Sequence, residues 1–326
     1  MWSAKNIKKL NPFFFSLACF SAHHGYASTD EKNYVLHTEK ISNSKALGRF
    51  EFNGKDSGKL IQSMAFDSQQ RKWLVAVSTA KNPEVVELWQ FPELPPYRDP
   101  IGPAISKLFS HPQDLSSDAL NGKRNYWLPS QNRTSVVRFE ILEKNKRLDI
   151  KVINTCKVSK TPIKGLFVTV STDDKNLIVM GHVRGLAGQH VMIYSLKEFL
   201  ESCKTRETPP PPISSWPLNS EQLAIGQWRQ GLASIGNSVF ILTGNHDTNK
   251  EKLLYTYTLK GDLISKNNFK MQSLSSSETS QITYEPEGLE IFKGENRNYL
   301  IYGIAEGEKG NRTFNLYKVP LRLAGH

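Results

Sequence analysis

Apolar residues in this chain fall into short runs of two kinds. Some alternate with polar residues, as in Leu47-Gly48-Arg49-Phe50-Glu51-Phe52. Others are nearly unbroken: Trp73–Ser78, Tyr126–Pro129, Leu177–Gly181, Val239–Thr243 and Tyr299–Ile304. Alternation predicts a strand with one wet face. An unbroken run of strand length predicts a strand covered on both faces.

Each unbroken run follows a related lead-in. These are Gln62-Ser63-Met64-Ala65-Phe66-Asp67, Gln113-Asp114-Leu115-Ser116, Lys164-Gly165-Leu166-Phe167-Val168, Arg229-Gln230-Gly231-Leu232-Ala233 and Pro286-Glu287-Gly288-Leu289-Glu290-Ile291. With Gln62, Gln113, Lys164, Gln230 and Glu287 as equivalents, the steps are 51, 51, 66 and 57 residues. Periods of about this length with several strands apiece point to propeller blades. The long step carries Pro209-Pro210-Pro211-Pro212, which belongs in a loop. The competing reading is a β-sandwich whose strands look alike. The repeat favours an all-β fold, a single five-bladed β-propeller over residues 47–326. Its last copy lacks an outer strand, so Leu47–Phe52 is expected to pair with Phe314–Val319 and close the ring, which removes sheet edges. Inner strands are expected at Gln62–Asp67, Gln113–Ser116, Leu166–Ser171, Gly231–Ile235 and Gly288–Phe292. Lys197–Cys203 reads as a short helix.

Composition adds little to the fold and more to the setting. Of 326 residues, 38% are hydrophobic, enough for a packed core. The net charge is +11, which favours anionic partners, though no nucleic-acid motif is present. Lys5, Lys8 and Lys9 precede the apolar stretch Asn11–Ala22, which is too short to span a bilayer. Residues 1–27 therefore read as a signal peptide cleaved after Ala27, and residues 28–46 as a polar leader. Lipidation at Cys19 is the lesser alternative. The expected location is exported, periplasmic or secreted, with no transmembrane helix in the mature chain. Cys156 and Cys203 then remain, and an even count in an exported chain predicts one disulfide.

Candidate chemistry collects at the repeat starts. Gln62, Gln113, Lys164, Gln230 and Glu287 would ring the channel and could bind a sugar, a water cluster or a cation. The plainer alternative is that they satisfy backbone groups where the inner strands crowd. Glu285 and Glu287, two apart on an extended segment, suit Ca²⁺ or acid–base work; with Pro286 between them they also suit a simple loop. His246 and Asp247 end one apolar strand, and His182 with Arg184 end another; these are ligands or solvated loop residues. The cofactor is unknown, with Ca²⁺ the candidate. No P-loop, dinucleotide fingerprint or Gly-x-Ser-x-Gly elbow occurs.

The segments Gln230–Gly244, Glu285–Ile291 and Gln62–Asp67 resemble the five-bladed propellers of helveticin J-like bacteriocins. They also look like related proteins of teichoic-acid synthesis and phage receptor binding. A departure is His111-Pro112-Gln113, where that pattern has a His-Gly pair. The resemblance implies a secreted or surface propeller that engages cell-envelope material. The function expected is binding of an anionic cell-envelope glycan or polymer, as a bacteriocin-like or receptor-recognition module. The alternative is a metal-dependent hydrolase of a phosphoester or lactone at the channel mouth, which rests on fold analogy.

Overall fold

The computed structural model describes residues 32–36, 46–50, 59–79, 82–94, 100–205, 208–218, 228–247, 250–268, 282–308 and 311–324. The expected signal peptide and most of the leader lie outside the described residues. Two short strands come first, β1 (Tyr34–Leu36) and β2 (Ala46–Phe50). Five antiparallel sheets then follow in chain order. Blade one holds β3 (Lys59–Asp67), β4 (Lys72–Thr79), β5 (Asn82–Pro92) and β6 (Ile101–Ser106). Blade two holds β7 (Ser116–Asp118), β8 (Asn125–Pro129), β9 (Ser135–Lys144) and β10 (Arg147–Lys157). Blade three holds β11 (Lys164–Val170), β12 (Asn176–His182), β13 (Gln189–Ser195) and β14 (Ser214–Leu218), with helix α1 (Leu196–Thr205) before the last. Blade four holds β15 (Trp228–Ile235), β16 (Ser238–Gly244), β17 (Leu253–Thr258) and β18 (Leu263–Asn268). Blade five holds β19 (Ile282–Lys293), β20 (Asn298–Glu308) and β21 (Asn311–Leu323). The first strands of neighbouring blades touch around the ring, β3 to β7, β7 to β11, β11 to β15, β15 to β19 and β19 back to β3. The molecule is a five-bladed β-propeller.

The unbroken apolar runs become the second strands, and each feeds two cores. In β12, Leu177 and Val179 pack toward blade two, while Ile178 and Met180 pack toward blade four. In β16, Phe240 and Leu242 pack toward blade five, while Val239 and Ile241 pack toward blade three. In this way each gap between blades holds one apolar cluster. Full burial of one such side chain is worth about 1.5–3 kcal/mol. Two-sided burial, not strand propensity alone, is what the runs encode.

Closure follows the expected pairing and extends it. In β2, Gly48, Arg49 and Phe50 pair with Leu316, Asn315 and Phe314 of β21. The leader adds a second piece: Tyr34, Val35 and Leu36 of β1 pair with Leu323, Arg322 and Leu321. The outer strand of blade five is thus made of two segments from the N-terminal side. β1 also holds the β15–β16 turn. Asn237 N–H donates to the Lys32 carbonyl at 3.1 Å, and Tyr34 N–H donates to Ser238 Oγ at 2.7 Å.

Cys156 of β10 and Cys203 of α1 form a disulfide with Cα atoms 5.0 Å apart, joining blades two and three. Among the described residues no helix is long and apolar enough to cross a membrane. Most inner strands start earlier than expected, whereas Gln113 precedes β7 and is not part of it. Pro112 lacks an N–H for a ladder, Gln113 N–H turns back to the His111 carbonyl at 3.0 Å, and the Asp114 side chain takes the Leu232 N–H at 3.4 Å.

Candidate functional site

Four inner-strand ladders slip at one point. The register shifts lie at Ile61/Ser63 in β3, Lys164/Phe167 in β11, Arg229/Gly231 in β15 and Glu287/Leu289 in β19. A bulge re-aims side chains and bends the strand. The strands then approach too closely for side chains at two positions. A Cβ on Gly231 would lie 2.7 Å from Leu289 Cβ. Gly288 has φ +75°, and a Cβ there would lie 3.0 Å from the Ser63 Cα. These contacts explain the Gln-Gly-Leu and Glu-Gly-Leu signatures: only glycine fits where inner strands meet.

At the mouth where the inner strands begin, two residues of the expected ring, Gln113 and Gln230, meet, and Glu285 joins them. Gln113 Nε2 donates to Gln230 Oε1 at 3.3 Å, and Gln230 Nε2 donates to Glu285 Oε1 at 2.9 Å. This chain of side chains runs from blade two to blades four and five. Gln62 and Glu287, the equivalents in β3 and β19, are buried. Lys164 does not join them: it is exposed, at the start of β11 opposite His182. No ion pair joins Lys164 to Glu287 among the described residues. Gln62 Oε1, Gln189 Oε1 and Arg229 Nε are buried without a protein partner among the described residues, a polar surplus that calls for an explanation.

His246 and Asp247 sit at the same mouth. The His246 ring lies 5.9 Å from that of Trp228, a residue that is 54% exposed. Lys252, almost wholly buried, donates from Nζ to the Asp247 carbonyl. Burial pushes the Lys252 ammonium below its ordinary range, against the pull of Asp247 and Glu285. Burial also lowers Arg229. His111 is lowered by burial and by Arg133, with Glu285 opposing. Desolvated cations of this kind gain from an incoming anion. His182 and Arg184 are exposed, with His182 Nδ1 3.1 Å from the Gly188 carbonyl. Among the described residues no group of three or more His, Cys, Asp or Glu side chains could hold a metal ion.

The opposite mouth, where inner strands end, holds a site the repeat starts did not reveal. A cavity of about 210 Å³ is lined from all five blades, including Phe66, Ser117, Thr172, Ser234 and Glu290. Arg124, Asp174 and Lys293 complete its charged lining. Burial pushes the Glu290 carboxyl up to about 8, partly offset by Arg124 and the Ile291 N–H. Burial likewise raises Asp174. The signal was present: Glu290 stands where the other copies carry Ala65, Ser116, Phe167 and Ala233.

Residues 217–318 match the family model described as a phage 5-bladed beta propeller receptor binding platform domain. No curated protein matches the chain. Among solved structures, it is similar to the tail fiber of Staphylococcus aureus phage P68, with 16% identity and a TM-score of 0.57. That match covers 86% of this chain and 55% of the tail fiber, so the chain spans about half of that protein. A hypothetical protein from Leishmania major (11% identity, 86% and 92% covered, TM-score 0.43) and a GH43_1 enzyme from Xanthomonas citri (10%, 88% and 93%, TM-score 0.44) are more distant in shape.

Proposed function

We propose that the chain is a recognition module that binds an anionic glycan or polymer of the cell envelope at the mouth where the inner strands begin. One observation carries this reading. The segment that matches the phage receptor-binding platform model contains Trp228, Arg229, Gln230, His246, Lys252 and Glu285, which build that mouth. The chemistry agrees with it. An exposed indole offers a stacking face. Half-buried Arg229 and buried Lys252 offer charge whose desolvation an anion offsets. The amide chain Gln113–Gln230–Glu285 offers directed donors and acceptors. The net charge of +11 favours encounter with an acidic polymer. No observation favours the hydrolase reading.

The test is binding of purified anionic envelope glycopolymers and a neutral glycan at low and high salt. Anionic polymers are expected to bind better, and to weaken with salt as screening predicts. Trp228→Ala is expected to weaken binding about tenfold, the scale of an aromatic anchor. Equal, salt-insensitive binding of both polymers would sink the proposal.

A further inference from the structure

At the far mouth, the lining of the cavity is chemically different from the first. Its charged groups are already engaged within the protein. Arg124 donates from Nη1 to Ser117 Oγ at 3.0 Å and from Nη2 to Ser68 Oγ at 2.7 Å, and its Nε lies 3.7 Å from Asp67 Oδ1. Lys293 Nζ donates to the Thr172 carbonyl. Asp174 accepts the Ala119 N–H with both oxygens, at 3.2 and 3.3 Å. Each of these groups thus already has a hydrogen-bond partner within the protein. The rest of the lining includes the hydroxyl residues Ser117, Thr172 and Ser234, the Glu290 carboxyl and Phe66; Ser234 Oγ donates to the Ser238 carbonyl at 3.0 Å and is left to accept.

We propose that this axial cavity, at the mouth where the inner strands end, is a binding site for one neutral sugar or polyol unit held by Glu290, Ser117, Thr172 and Ser234. The size fits a single ring better than an oligomer, at about 210 Å³. Hydroxyl ligands need partners that both donate and accept. Ser117 Oγ accepts from Arg124 and keeps its own hydrogen to give. Glu290, carried largely protonated at neutral pH by its buried surroundings, also donates and accepts. Asp114 and Tyr126 lie within the electrostatic reach of Glu290, and Arg124 opposes its protonation without forming an ion pair with it. Phe66 supplies a surface for ring C–H groups. Phe66, Ser117, Ser234 and Glu290 line it from inner strands, and Thr172 and Asp174 line it from the β11–β12 turn. The proposal stands on this mouth alone and is independent of polymer binding at the other.

The experiment uses the full chain with glucose, N-acetylglucosamine, glycerol and inorganic phosphate as probes, followed by saturation-transfer NMR and calorimetry. Saturable binding of at least one of the three neutral probes is expected, without competition from phosphate. Thr172→Trp, which starts from a half-buried rim position and fills the cavity, is expected to weaken that binding at least tenfold. Glu290→Ala is expected to do the same; if it does not fold, Thr172→Trp decides. Three results overturn the proposal: no saturable binding of any neutral probe, undiminished binding by folded Thr172→Trp, or phosphate competing for the same site.

Discussion

Glu290 shows how one residue can be plain in sequence and special in place. It sits in an alternating stretch, Leu289-Glu290-Ile291, where a carboxylate normally marks a wet face. The ring geometry turns that face toward the axis, and burial there raises its pKa to about 8. An unfolded Glu titrates near its ordinary value, so the native state holds this proton more tightly. Stability from this group is fully present below the unfolded pKa and is lost as pH rises through the folded value. Thermal melts at pH 5, 7 and 9 are expected to show the wild type losing stability toward pH 9. Glu290→Gln should flatten that part of the profile. A parallel loss in both proteins would refute the assignment. Gly288 teaches the same lesson from the other side: the motif was visible, but its cause, a Ser63 Cα 3.0 Å from where a Cβ would stand, belongs to another blade.

Among the elements, β2 carries the closing contact. Phe50 packs its ring 4.6 Å from Phe91 and 5.9 Å from Phe314, so one side chain bridges blades five and one. Phe50→Ala is expected to cost about 3–5 kcal/mol, the range for truncating a buried aromatic. Urea denaturation is the measurement. A loss under about 1 kcal/mol, the range of a surface substitution, would mean that β21 does not need its partner. The pairing of β2 with β21 was legible because a strand was missing from the last copy. The role of β1 was less so. Three residues carry little pattern, and its partners are a turn and a strand far along the chain.

For the whole molecule, two ties complement the apolar cores: the closing strands at the ring's seam and the disulfide between blades two and three. The Cys156–Cys203 bond spans 47 residues of chain. Its loss is worth about 4 kcal/mol in the chain-entropy model. The Cys156→Ala, Cys203→Ala double variant should therefore unfold at markedly lower urea, with an unchanged secondary-structure spectrum. An unchanged midpoint would show that the α1–β10 packing suffices alone. The sequence by itself determined the all-β class, the five copies, the closing segment and the cysteine pair. Each of these follows from local period, spacing or count, which the chain carries along its length. Only the tertiary structure decided that Gln113, Gln230 and Glu285 join while Lys164 turns outward, and that the cavity lies at the opposite mouth. Both depend on which side chains five converging strands bring together at one axis, and on bulges that redirect them. Such distances arise between residues more than a hundred positions apart, as Gln113 and Gln230 are, so no local pattern records them.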